Sequence, residues 1–573
     1  MKRTHTCGQL TDKDINKKVV LAGWCSTRRD HGGVIFIDLR DRYGITQVVF
    51  DPSNNMEAHK AAERLGREDV IIVEGIVRKR PQGMENEKLP TGKIEVLIGK
   101  ILSINEAQTP PIEIDDRVDA SEEMRLKYRY LDLRRPKMQK QLVFRYNLVI
   151  AIREYLNQQG FIEIETPMLI KTTPEGARDY LVPSRLHPGK FYSLPQSPQI
   201  YKQILMIAGF DKYFQLARCL RDEDLRADRQ PEHTQIDLEM SFADAGDIFH
   251  LTEGLIKHVF RKLLDKDIKT PFKRFAYNDA VERFCTDKPD IRFGMECCTV
   301  TNIVKDSEFR VFLEVIKKDG IVKVLNAEKC GEKLSRSQID ELIEFAKQNG
   351  AQGLAWMKAT KDGLEGNIVK FFPQKVQKEL LEKAKAKPND LLLFAADNPK
   401  TVNDVLSKIR MKLANSLGLV RENDFEFCFI TDFPMFEWNE DEQKWDFAHN
   451  PFTMPKEEYW KGLEKEPGKV ISYQYDFVMN GSELFSGSVR NNIPELQMKT
   501  FKVTGMSEAE INSKFGFLLE AYKYGAPVHA GFGLGFDRLA SLMQGIHDIR
   551  EVIAFPKNKA AENPMDDSPN EAT

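Results

Sequence analysis

Three stretches of the chain concentrate residue types that do chemistry. The densest is Arg221-Asp-Glu-Asp-Leu-Arg-Ala-Asp-Arg-Gln-Pro-Glu-His-Thr-Gln-Ile-Asp237. Such a run is ordinarily a solvated loop. Here it joins two apolar, strand-like segments, Tyr213–Leu220 and Ile236–Phe242, and so reads as a long charged hairpin over a sheet. Arginine forks match phosphate oxygens and carboxylates hold metals or amines, which makes the hairpin a candidate nucleotide clamp. The second stretch is His529-Ala-Gly-Phe-Gly-Leu-Gly-Phe-Asp-Arg-Leu539. Its glycines at 531, 533 and 535 would let a ligand lie against backbone, with Arg538 opening a helix near its anion-attracting end. The spacing is not the dinucleotide-binding one, and no phosphate-loop signature occurs in the chain. The third is Asp476-Phe-Val-Met-Asn-Gly-Ser-Glu483, followed by Ser486-Gly-Ser-Val-Arg490. Two carboxylates on a strand, turn and strand could share a Mg²⁺ that also grips phosphate, although either one alone would ordinarily be a solvated surface acid.

The elements that must position these residues follow from periodicity. Five β-type runs, Val19–Trp24, Val34–Leu39, Thr46–Phe50, Val70–Arg78 and Ile94–Ile104, with a helical stretch Met56–Leu65 after the third, give the order of an OB-fold barrel. Such barrels hold single-stranded nucleic acid. Residues 107–137 are rich in proline and charge and read as a linker or hinge. An amphipathic helix is expected over Lys140–Gln159, stopped by Gly160. Phe161–Pro167 then alternates as a strand that ends at a proline. Residues 291–417 alternate helix and strand without a dense polar cluster and read as an inserted α/β domain. That leaves two parts of one catalytic domain, 138–290 and 418–556, an OB domain over 1–106, and an acidic tail, 557–573, expected to be disordered.

Composition narrows the partners. Lys+Arg 84 against Asp+Glu 87 gives a net charge of -3, so bulk charge does not hold this chain on nucleic acid. Contact must come from patches, and residues 1–106, with 18 basic against 15 acidic side chains, carry a small excess of the right sign. No apolar run is long enough to span a membrane and no signal sequence opens the chain, so the expected location is the cytoplasm. The eight cysteines, with no C-x-x-C, read as reduced and mostly buried thiols.

The order of these segments resembles that of the class II aminoacyl-tRNA synthetases: Phe161–Pro167 looks like their motif 1, Arg221–Asp237 like motif 2 and Gly531–Arg538 like motif 3. Thr173-Pro-Glu-Gly-Ala-Arg-Asp-Tyr180, Gln196-Ser-Pro-Gln-Ile-Tyr-Lys202 and His449-Asn-Pro-Phe-Thr453 are similar to the bacterial aspartyl branch. The resemblance spans essentially the whole chain. It implies an α+β multidomain protein, with an N-terminal OB-fold anticodon domain and an antiparallel-sheet catalytic domain interrupted by an insertion. It also implies a homodimer whose interface includes motif 1, and a two-step reaction. L-aspartate is activated with ATP to an adenylate, then passed to the 3′ end of tRNA(Asp).

The resemblance also implies residue roles. Arg221 and Arg538 are the catalytic cations on the α- and terminal phosphates. Asp222, Glu223, Gln230, His233, Glu483, Gly535, Phe536 and Asp537 complete the ATP site. His233 stands where most of the family stacks a phenylalanine on adenine. Asp476 and Glu483 look like the Mg²⁺ ligands. Glu175, Gln199 and Asp237 match the positions that hold the substrate ammonium, while Lys202, Arg490 and His449 match those at its side-chain carboxylate, with Arg221 at the α-carboxylate. In the barrel, Arg29, Phe36 and Gln47 match anticodon contacts, although Phe36, inside the apolar run Val34–Ile37, could equally be barrel core. His31 and Gly83 resemble the relaxed enzymes that also charge tRNA(Asn). An asparaginyl-tRNA synthetase, which shares fold and anticodon domain, is the nearest alternative.

Overall fold

Alternating side chains build the first domain. In the computed structural model, which describes residues 2–571 except 118, 119, 174, 175, 225 and 422, five strands close into a barrel in the order β1-β2-β3-β5-β4: β1 (Lys18–His31), β2 (Val34–Asp41), β3 (Gly44–Phe50), β4 (Val70–Lys79) and β5 (Ile94–Asn105). Helix α1 (Met56–Ala62) follows β3 and is capped by Asn55, whose side chain accepts from Ala58 N at 2.8 Å. Val19, Leu21, Ile35, Ile37, Leu39 and Val73 fill the interior. The period of two that turns Ile35 and Ile37 inward turns Phe36 and Asp38 outward.

Residues 107–137 are not a loose linker. Two short helices, α2 (Glu122–Lys127) and α3 (Arg129–Asp132), enclose Ile112, Ile114 and Leu131, and the fully buried Asp132 binds Arg125, Arg129 and Arg135 at 3.0, 2.5 and 3.0 Å. The C-terminal tail, 557–573, was expected to be disordered, and its residues 572 and 573 lie outside the described residues. Residues 557–571 form turns closed by hydrogen bonds from Asn558 N to Glu562 O and Asn563 N to Ser568 O, both 2.8 Å. Arg129 donates to the carbonyls of Arg550, Ile553 and Ala554, which ties the final segment to the first. Residues 1–143 with 550–573 accordingly form one compact unit, and 144–549 a second.

Helix α4 (Pro136–Gln158) leads into the second unit. There follow β6 (Ile162–Glu163), the ribbon β7 (Leu181–Pro183) and β8 (Phe191–Ser193), α5 (Gln199–Ile207), β9 (Lys212–Leu220), β10 (Glu232–Ser241), α6 (Ala245–Leu264), β11 (Lys273–Ala276) and α7 (Tyr277–Phe284). The strand expected over Phe161–Pro167 shortens to two residues at a sheet edge, since Pro167 has no N–H to extend the ladder. The insertion comes next. Its strands, β12 (Cys297–Thr299), β13 (Ile321–Ala327), β14 (Ala355–Thr360), β15 (Gly363–Glu365) and β16 (Leu391–Asp397), pair antiparallel in the order β12-β13-β16-β14-β15. Helices α8 (Thr301–Val304), α9 (Arg310–Ile316), α10 (Arg336–Gln348), α11 (Gln374–Lys383) and α12 (Pro399–Ser416) cover both faces, which hold separate cores around Leu325 and Leu393 and around Val324 and Phe394. Arg410 of α12, 2 % exposed, donates to the carbonyls of Asp290, Phe293, Gly294 and Met295 where the insertion begins.

The chain then completes the central sheet with β17 (Phe427–Thr431), the ribbon β18 (Phe436–Asn439) and β19 (Lys444–Phe447), β20 (Gln474–Met479), β21 (Ser482–Val489), helices α13 (Pro494–Val503) and α14 (Glu508–Tyr522), β22 (His529–Gly535) and α15 (Phe536–Leu542). The eight strands run β11-β17-β20-β21-β22-β10-β9-β6. Only the outermost pairs, β11 with β17 and β6 with β9, are parallel.

Candidate active site

The floor of the site is set by register. On β10, Asp237 and Glu239 lie two residues apart and share a face; across the ladder they meet Gly533 and Gly531 of β22. A Cβ at Gly531 would stand 2.2 Å from Glu239 Oε2, and one at Gly533 would stand 3.2 Å from Asp237 Oδ1. The glycine string therefore makes room for the protein's own carboxylates. Lys202 of α5 reaches Asp237 Oδ1 at 3.0 Å, Glu239 Oε2 at 3.4 Å and the carbonyl of Phe532 at 3.0 Å. Arg490, just beyond β21, donates to both Glu239 oxygens at 2.7 and 3.2 Å and to Ser488 Oγ at 2.8 Å.

Two cations and two anions, each side chain 2 % exposed or less, thus compensate one another. They do so unevenly. Burial pushes the Asp237 carboxyl up, with Lys202 only partly opposing it. Burial would also raise Glu239, but Arg490 and Lys202 outweigh it and hold that carboxyl below its usual value. Asp237 Oδ2 and the amide nitrogen of Gln199 are buried without a hydrogen-bond partner among the described residues. These are the places where a ligand's ammonium and an oxygen would find partners.

In front of Gly533 and Gln235 opens a cavity of about 350 Å³ lined by Arg221, Glu223, Arg229, Gln230, His233, Lys288, Glu483, Gly535 and Arg538. Its cations are mostly paired: Arg229 with Glu223 at 3.1 Å, Arg538 with Asp228 at 3.1 Å and Lys288 with Glu483 at 2.7 Å. Arg221 is different. Among the described residues it has no carboxylate within ion-pair distance, and its Nε donates to the carbonyl of Gln196 at 3.3 Å. His233 is neutral, its ring lowered to about 3 by burial and then by the charge of Arg221.

Not every expected ATP residue faces this space. Asp222 lies off it, half exposed and 4.0 Å from Arg178. Phe536 is 1 % exposed, with the Arg145 guanidinium stacked 4.5 Å over its ring. Asp537 borders the cavity, but its carboxylate already binds Arg145 and the Thr234 amide. Asp537 thereby fixes β10 of the hairpin to α15.

Asp476 and Glu483 face each other across the β20–β21 turn. Asp476 is fully buried; one oxygen accepts from Ser486 Oγ and the other has no hydrogen-bond partner among the described residues. Burial and then the nearby Glu483 charge push its carboxyl well up. Burial would also raise Glu483, but Lys288 and then Arg538 hold it down. A like-charge pair with one orphaned oxygen suits a divalent cation, so these residues fit Mg²⁺. His449 lies beside them, its ring edge-on to Phe433 at 4.8 Å and its basicity lowered by burial. Glu175 lies outside the described residues. Glu239 and Lys288 were not picked out by sequence. For Glu239 the signal was present: an acid at i+2 from Asp237 inside the otherwise apolar Ile236–Met240. Lys288 belongs to no motif.

On the barrel, Arg29 pairs in register with Phe36, and Asp38 with Gln47, so all four share the outer face. Phe36 is half-buried there and is not part of the interior cluster. Arg29 binds both Asp38 oxygens at 2.8 and 2.9 Å and Gln47 at 3.3 Å, and Gln47 donates to Glu95 at 2.8 Å. His31 ends β1 with its ring 6.3 Å from that of Phe36. Gly83 sits in a turn at φ +82, where a side chain would strain the backbone.

The arrangement has relatives. Residues 121–559 match the family model of class II tRNA synthetases (D, K and N), and residues 19–104 match an OB-fold nucleic acid binding domain. The chain belongs to the class II aminoacyl-tRNA synthetases. This synthetase is 52% identical over its whole length to a protein of Caldanaerobacter subterraneus subsp. tengcongensis named aspartate–tRNA(Asp/Asn) ligase, covering 97% of it. It is 49% identical to the protein of the same name from Aquifex aeolicus, over 99% of this chain and 96% of that one. Among solved structures, asparaginyl-tRNA synthetase from Pyrococcus horikoshii with asparaginyl-adenylate matches at TM-score 0.61 and 21% identity, over 97% of this chain and 98% of that one. Aspartyl tRNA synthetase from Entamoeba histolytica matches at TM-score 0.59 and 19% identity, over 97% and 92%. At such identities the structural matches speak for the synthetase fold alone.

Proposed function

We propose that this synthetase is an aspartate–tRNA ligase. It activates L-aspartate with ATP and transfers the aspartyl group to the 3′ end of tRNA(Asp) and of tRNA(Asn). The observation that carries this reading is the buried set Lys202, Asp237, Glu239 and Arg490, close enough to Arg221 for its charge to act on Asp237, with Arg221 itself lacking an ion-pair partner among the described residues. A side-chain carboxylate entering there meets two cations that are already fixed. An asparagine amide would set N–H groups against those cations and leave buried charge unsatisfied, at a cost of about 1–3 kcal/mol or more. Asp237 Oδ2 receives the ammonium end, with the side-chain oxygen of Gln199 and Glu175 joining it by family position.

The substrate supplies its own nucleophile. Its α-carboxylate oxygen attacks the α-phosphorus of ATP, pyrophosphate leaves, and the terminal ribose hydroxyl of tRNA then displaces AMP from the aspartyl carbonyl. Arg221 meets the charge that builds on the α-phosphate and Arg538 that on the terminal phosphate, so catalysis is positioning and charge stabilisation. His233 stacks on adenine, with Gln230, Glu223 and Gly535 placing the nucleotide. Glu483 and Asp476 would hold Mg²⁺, which would supply further neutralisation of the phosphate oxygens.

In the barrel, Arg29, Phe36 and Gln47 read the anticodon, with His31 and Gly83 admitting both tRNAs. Residues 138–290 and 418–556 form the catalytic domain, interrupted by 291–417. A homodimer is supported by exposed apolar side chains on and near motif 1: Tyr146 and Ile150 on α4, then Ile162, Met168 and Leu169. No helix among the described residues is long and apolar enough to cross a membrane, and eight cysteines that form no disulfide suit the reducing cytoplasm. Pyrophosphate exchange with aspartate and with asparagine, followed by charging of both purified tRNAs, tests the reading. Exchange that depends on asparagine alone would replace it with an asparaginyl enzyme, and failure to charge tRNA(Asn) would restrict it to tRNA(Asp).

A further inference from the structure

Lys288 stands at the active site without belonging to any of its motifs. It lies in Asp287-Lys-Pro-Asp290, between α7 and the insertion, and this segment is anchored. Asp290 is fully buried beneath Arg292 at 2.5 Å, and Arg410 of α12 holds the Asp290 carbonyl at 2.8 Å. From that root the Lys288 ammonium reaches Glu483 Oε2 at 2.7 Å. Asp287 and Asp476 also act on it, so one cation serves three carboxylates. Among the described residues no other side chain forms an ion pair with Glu483: Arg538 donates instead to its backbone carbonyl. Lys288 also borders both the nucleotide cavity and an adjoining groove that carries Lys408 and Lys412.

Resting on the reading of Asp476 and Glu483 as metal ligands, we propose that Lys288 is a built-in monovalent counter-cation that occupies the metal's place at Glu483 until a nucleotide-bound divalent ion displaces it. A free divalent ion has to break the Lys288–Glu483 pair and offers the ammonium no new anionic partner in return. An ion arriving on ATP brings phosphate oxygens with it, and the displaced ammonium passes to them across the same cavity wall. The carboxylates thereby favour the nucleotide complex over the bare ion, and Lys288 becomes a positioning residue for the phosphate chain.

The test measures Mn²⁺ binding to the full-length, nucleotide-free protein by electron paramagnetic resonance of the free ion. Wild type, Lys288→Met, Lys288→Arg, Glu483→Gln and the Lys288→Met/Glu483→Gln double variant are compared. Lys288 is 42 % exposed at its side chain, so its replacements are read in folded protein. Lys288→Met should bind Mn²⁺ at least about tenfold more tightly than wild type, Lys288→Arg within about twofold of it, and the double variant should lose the gain. In pyrophosphate exchange, Lys288→Met should raise the KM for ATP about tenfold and leave that for aspartate unchanged. Lys288→Met binding Mn²⁺ no more tightly than wild type, while Glu483→Gln still weakens the ion, overturns the counter-cation and spares the metal site. Mn²⁺ affinity indifferent to Glu483 in every variant overturns both.

Discussion

The floor of the proposed aspartate pocket and the outer face of the barrel are both built from arginines braced by carboxylates, yet they are set at opposite depths. Arg490 and Glu239 are 2 % and 0 % exposed; Arg29 and Asp38 are 38 % and 18 % exposed. Ion pairing strengthens as the surrounding dielectric falls, from about 1 kcal/mol at 4 Å in water to about 4 near a protein surface. The buried set is therefore costly to disturb and fixed before substrate arrives, which suits telling a carboxylate from an amide. The barrel pair is weak enough to open toward RNA and re-form when the RNA leaves. Depth separates a filter from a grip.

The largest expected effect tests the filter. Arg490→Met should lower aspartate-dependent exchange by more than about 10³ and destabilise the fold by about 3–5 kcal/mol, because two buried carboxylates, Glu239 and Asp237, are left to share the single cation Lys202. Thermal melts of the Arg490→Met/Glu239→Gln pair should recover most of that stability while exchange stays lost; recovery of both would mean that the floor is structural only. Next comes the unpaired cation: Arg221→Ala should cut kcat for exchange by about 10²–10³, as removal of one charge-stabilising donor does elsewhere. On the barrel, Phe36→Ala should remove a stack worth about 1–3 kcal/mol, raising the KM for tRNA about 5- to 150-fold with amino-acid activation untouched. An effect on exchange itself would break the contrast between the two regions.

The smallest effect is at His233. His233→Phe should keep the KM for ATP within about threefold, since either ring stacks. Its folded-state value, about 3, lies below the ordinary 6.5, so the stability that this neutral imidazole contributes is present above pH 6.5 and is lost as pH falls toward 3. Melting curves of the phenylalanine variant should fall less steeply across that window than those of wild type.

The barrel, the hairpin and the strand-turn-strand were legible because period-two patterning and turn residues are local. Phe36 was ambiguous by composition, and the alternation of its own strand settled it: Ile35 and Ile37 are inside, so Phe36 is not. Glu239 was hidden because its meaning depends on Lys202 and Arg490, which the chain brings to it from 37 residues before and 251 after. Asp222 and Phe536 matched the family pattern by position, but a side chain's direction is set by packing against Arg178 and Arg145, which no spacing reveals. Residues 107–137 and 557–571 looked loose because their polar composition promised no core. The first is held by Asp132 among Arg125, Arg129 and Arg135 over a small core of Ile112, Ile114 and Leu131, and the second by backbone hydrogen bonds across its own turns.

Arg410 also bears on how such a chain could have grown. One guanidinium of α12 ties the end of the insertion to the carbonyls at its start. The loop of chain between is closed at the neck like a purse, and its contents can lengthen, shrink or be exchanged without moving a single rung of the eight-stranded sheet. Lys288 stands just ahead of that clasp, outside the insertion, so its ammonium stays at Glu483 whatever fills the purse.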